Sequence, residues 1–66
     1  MSQLHLFEVA VIHTIKDGDN KLIVPPTPVM AKNDTVARDE AVHLARSLKL
    51  TDFNVNNIKV LVRPFM

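Results

Sequence analysis

The sequence predicts an α+β fold: a three-stranded sheet, antiparallel or mixed, in strand order 2-1-3, with one helix on one face and elements in the order ββαβ. Three observations carry that expectation. Residues 4–16, LHLFEVAVIHTIK, alternate with a period near two; residues 36–48, VARDEAVHLARSL, set apolar side chains at helical spacing; residues 58–64, IKVLVRP, alternate again. At 66 residues the chain is one domain, 1–66, and it contains no cysteine. A domain of this size buries only ~60% of the surface its unfolded chain exposes, so with no disulfide it is expected to be marginal alone or stabilised by a partner.

The first strand is expected over Leu4 to Lys16, with Phe7, Val9, Val11 and Ile15 on the core face and Glu8, Ala10, Ile12 and Thr14 on a mixed one. Asp17-Gly18-Asp19-Asn20 supplies residues that tolerate φ > 0 or bond to their own backbone, which predicts a hairpin turn. The return strand starts at Lys21–Val24 and resumes at Val29–Ala31. Between them Pro25-Pro26-Thr27-Pro28 removes three backbone donors, which places this strand at an edge, kinked or broken. A polyproline ligand needs an exposed flexible segment, whereas this one is held between apolar runs, so it reads as an edge-blunting bulge.

Asn33-Asp34-Thr35 offers oxygens to cap a helix running from Val36 to Leu48. Its inner face is Ala37, Ala41, Leu44 and Leu48 with Ala45 beside them; acids Asp39 and Glu40 sit early and bases Arg46 and Lys49 late, as the helix dipole favours. Residues 51–57 read as a return loop. In the third strand Ile58, Val60 and Val62 should meet the helix, leaving Lys59, Leu61 and Arg63 on the opposite side. The proline-bearing second strand must be an edge, so the first strand is central and a right-handed connection through the helix brings in the third. One helix covers one face of such a sheet and leaves the other open.

Composition narrows the function classes. Eight basic and seven acidic residues are mixed along the chain, without the basic excess by which nucleic-acid binders engage phosphates, so no nucleic acid is expected. The apolar runs are shorter than the ~18 residues of a membrane span, and MSQLHLFEV lacks a basic region before a longer apolar segment, so the chain is expected to be soluble and unprocessed, without a membrane role. Absence of cysteine fits a reducing compartment.

Candidate chemistry is sparse. His5 and His13 lie ~26 Å apart along a strand and His43 is on the helix, so no metal cluster is expected. Asp17-Gly18-Asp19-Asn20 resembles the start of a calcium loop, but the twelfth position is Pro28 where a glutamate is needed. The single glycine excludes a glycine-rich phosphate loop, and hydroxyls such as Thr35 have structural uses as caps. Neither cofactor nor enzyme activity is expected, since one helix on three strands has difficulty enclosing a cavity.

What remains is the open face, where Glu8, Ala10, Ile12 and Thr14 lie beside Lys59, Leu61 and Arg63. Two readings stand. The face is solvated, with Glu8 paired to Lys59 or Arg63; or Ile12 and Leu61, ringed by Glu8, Lys59 and Arg63, form the centre of a protein contact with Arg63 as its anchor. If the chain self-associates, the expected route is the edge of the third strand, which carries fewer prolines than the second.

Several segments carry a resemblance. The opening FEVAVI, the PTPVMAK-like second strand, the alanine-rich helix with its acids early and the closing VLVRPF resemble small tailed-bacteriophage proteins of unassigned role. That resemblance implies an accessory or virion-associated protein, located in the host cytoplasm or the virion. The chain is also similar to the small early phage inhibitor of host RNA polymerase, whose late strand ends in an arginine-proline pair. There two arginines at alternate positions engage the polymerase; Arg63-Pro64 matches the second, and the first falls on Leu61. The partner implied is therefore a protein, either a virion component or a host enzyme.

Overall fold

The structure, a computed structural model, describes residues 3–14, 18–51 and 53–65. It consists of β1 (His5–Thr14), β2 (Asn20–Ala31), helix α1 (Asp34–Ser47), a short 3-10 turn (Val55–Asn57) and β3 (Ile58–Pro64). The sheet order is β2-β1-β3 and both pairings are antiparallel, the architecture the alternation predicts. Helix α1 packs on all three strands.

The prolines do not interrupt β2, which runs for 12 residues. They create a bulge instead. Val9 pairs with Thr27 and Val11 with Val24, so Ala10 alone faces Pro25 and Pro26; a second shift follows because Ile12 pairs with Leu22 and skips Ile23. Each bulge absorbs one residue and changes the parity of β2. Val24 and Ala31, of opposite parity, are consequently both buried against the helix side, and neighbouring Ile23 packs there too. The Thr27 hydroxyl donates to the Pro25 carbonyl at 2.6 Å, which holds the corner shut. Prolines are tolerated because β2 is an edge strand.

Asn33 starts the helix: its backbone is extended and its side-chain oxygen accepts the Val36 N–H at 2.9 Å. The helix ends where Leu48 caps it and Lys49 turns to φ 53°, the N–H of Lys49 donating to the Arg46 carbonyl at 3.1 Å. Ala37, Ala41 and Ala45 have no exposed area, which brings the helix backbone close to the sheet. They close over Phe7, Val9, Val11, Val24 and Ala31, with Leu44, Ile58, Val60 and Val62 at the margin. Among the described residues no fully buried side chain is larger than valine, so the core is thin.

Three sequence expectations are corrected. Leu48 is exposed because the helix terminates at it, so it does not continue the inner face. The helix begins two residues before Val36, at Asp34, since Asn33 is the capping residue. Asn20 belongs to β2, where it pairs with Thr14 and accepts the Thr14 hydroxyl at 2.8 Å. The expected return loop enters β3 through a 3-10 turn, Val55–Asn57, capped by the Asn54 side chain, while Asp52 lies outside the described residues. Of the expected hairpin turn, Asp17 lies outside the described residues, as do Ile15 and Lys16 of the expected first strand; Gly18 has φ +82°, a conformation in which a side chain would be strained.

Candidate functional site: the uncovered sheet face

Alternation in β1 turns Leu6, Glu8, Ala10 and Ile12 away from the helix. Register then fixes their neighbours. Across β2 they meet Met30, Pro28, the Pro25-Pro26 bulge and Leu22; across β3, Glu8 meets Arg63, Ala10 meets Leu61 and Ile12 meets Lys59. Leu6, Leu22, Met30 and Leu61 are all exposed there. The ladder continues past Pro64, since the Phe65 N–H donates to the Leu6 carbonyl at 3.0 Å, and this brings the exposed Phe65 beside Glu8 and Arg63.

Among the residues expected at the site, Glu8, Ile12, Lys59, Leu61 and Arg63 thus share one face. Arg63 takes the carboxylate: its Nε lies 2.6 Å and its terminal nitrogen 2.5 Å from the same Glu8 oxygen. With the Arg63 side chain 75% exposed, such a pair contributes only ~0 to 1 kcal/mol. Lys59 stands exposed opposite Ile12. Ala10, although on the open side, is buried at the floor of a shallow hollow walled by Glu8, Pro26, Leu61 and Arg63. The bulge supplies that wall.

Sequence reasoning missed Leu6, Leu22, Met30 and Phe65. Leu6 was legible, being an even residue of β1. Leu22 and Met30 have the same parity, and the two bulges between them cancel, but setting them beside Ile12 and Leu6 requires the β1–β2 register, which a period-two pattern does not reveal.

A second site was missed on the covered side. His13 is an odd residue of β1 and is buried at 4% exposure. Its Nε2 accepts the backbone N–H of Asn54 at 3.1 Å, and its ring stacks on Phe53 with centroids 5.5 Å apart. This side chain fastens the return loop to the sheet, a structural use for a histidine. Among the described residues no group of three or more His, Cys, Asp or Glu side chains gathers to hold a metal ion. No described helix is long and apolar enough to cross a membrane.

Fold and face together define a two-layer α+β domain whose uncovered sheet surface is apolar around the Glu8–Arg63 ion pair. No protein-family model matches the chain, and no curated protein and no solved structure is significantly similar to it.

Proposed function

We propose that the chain is a non-enzymatic protein-binding module whose contact surface is the uncovered face of its sheet. The observation that supports this is the grouping of Leu6, Leu22, Met30, Leu61 and Phe65 around the Glu8–Arg63 pair, an apolar field with charge inside it. Contiguous exposed apolar patches rimmed by polar residues mark interaction sites. Resemblance to small phage proteins points to an accessory or virion-associated role. A second reading, inhibition of a host enzyme such as RNA polymerase, is favoured by the exposure of both Arg63 and Lys59 on one strand beside Pro64.

A photo-crosslinking residue at Leu61, compared with one at Glu40 on the solvent side of α1, tests the surface. Crosslinks to protein from position 61 and none from position 40 are expected; equal yields from both would refute the face. Recovery of the chain in stoichiometric amount from purified particles would indicate the virion role, and recovery bound to a host enzyme the inhibitory one.

A further inference from the structure

We infer that the uncovered face is closed by a second copy of the chain, the two sheets packing face to face with their helices outermost. This rests on the protein-binding reading and names the partner. Two quantities bear on it. A compact 7.4 kDa monomer exposes about 4,200 Å² by the usual scaling of surface with mass. This chain exposes 4985 Å², an excess close to the ~800 Å² that each partner contributes to a stable interface. The molecule measures 44 × 20 × 15 Å, and its broad 44 × 20 Å side, about 900 Å², accommodates a contact of ~800 Å² per partner only if that contact occupies nearly all of it.

Charge favours a second copy over an unrelated partner. Two-fold symmetry requires a self-complementary patch, in which residue i meets j and j meets i. Glu8 and Arg63 sit side by side on neighbouring strands, so a two-fold beside them sets Glu8 of one protomer against the partner's Arg63 and the reverse, forming a neutral four-residue cluster. Lys59, opposite Ile12, keeps its ammonium at the rim through its flexible stem. The flanking apolar residues supply a dry surround, and sheets pack in this way at ~10 Å separation. The alternative route, through the edge of β3, offers only seven residues ending in Pro64, which has no donor.

Sedimentation velocity on the full chain over two decades of concentration tests the proposal. The expected mass is twice 7.4 kDa, reduced to the monomer by Leu61→Glu and independently by Leu22→Glu. Both residues are exposed in the single chain, so the charge is compatible with folding, which circular dichroism verifies for each. The decisive arm uses Glu8→Arg and Arg63→Glu chains. Each is monomeric alone, carrying like charges at both positions, and an equimolar mixture forms the dimer, an outcome that pairing within one chain cannot produce.

A wild-type monomer throughout, a mixture no heavier than its components, or a dimer indifferent to both leucine variants overturns the proposal, the last in favour of the β3 edge. A monomer that still crosslinks a different protein from position 61 removes the second copy and leaves the protein-binding reading intact. Absence of any protein contact from the face removes both.

Discussion

Replacing His13 separates two contributions that the fold joins in one side chain. In His13→Phe the ring and its stack on Phe53 stay, but the Asn54 N–H loses the acceptor it now has at 3.1 Å. Stranding a partly buried donor costs about 1–2 kcal/mol, toward the lower end of the range because the site is only part-buried. In His13→Ala the stack, worth ~0.5–1.5 kcal/mol, and the buried ring volume go as well, for a total of about 3–4 kcal/mol. A chain of this length holds roughly 3–10 kcal/mol in all. Each kilocalorie moves the midpoint by ~4–8 °C in a domain of this size, so His13→Phe should lower Tm by about 5–15 °C and His13→Ala by about 12–30 °C. Thermal and urea unfolding followed by circular dichroism measures both. A His13→Ala midpoint within a few degrees of wild type would refute the role of this side chain in anchoring the loop; a His13→Phe chain as unstable as His13→Ala would assign the whole effect to the hydrogen bond.

Other perturbations follow from the same packing. Asn33→Ala removes the cap on the Val36 N–H and should cost about 1 kcal/mol, read as a lower urea midpoint at unchanged m-value. Ala41→Leu forces a larger side chain into a helix–sheet contact with no free area and should destabilise by about 1–3 kcal/mol in the same titration. Lys49→Gly relieves the φ 53° backbone after the helix and should raise the midpoint, by about 1 kcal/mol. Arg63→Ala in the dissociated chain should change stability by no more than about 1 kcal/mol, since the pair it breaks is exposed; a larger loss would make Arg63 a structural residue.

Much of this fold is legible in the residues because local signals and tertiary needs coincide. Alternation in β3 is unbroken, so Ile58, Val60 and Val62 pack toward the core cluster while Lys59, Leu61 and Arg63 turn outward. Three alanines at helical spacing mark the buried stripe of α1, and the proline-rich strand takes the edge. What stays hidden depends on partners remote in sequence. His13 looks polar until Phe53 and Asn54 arrive from 40 residues away, roughly, to occupy its ring face and nitrogen. Val24 looks out of phase with Ala31 until the bulge at Pro25-Pro26 reconciles them, and the register that results sets Leu22 and Met30 beside Ile12 and Leu6. The hydrophobic field of the open face is therefore wider than the Ile12 and Leu61 centre that spacing alone brings together.

Leu61 and Val36 offer the most direct test of the central claim, that the open sheet face is covered in the working protein. Each is 42% exposed in the single chain, one on the open sheet and the other on the helix. A soluble paramagnetic probe relaxes methyl groups according to their access to solvent, so in an isolated chain the two should respond alike. With the face covered, the Leu61 methyls should be shielded, together with those of Leu22 and Met30, while those of Val36 remain fully accessible. Equal relaxation at Leu61 and Val36, in the concentrated protein and in the presence of whatever crosslinks at position 61, would contradict the account.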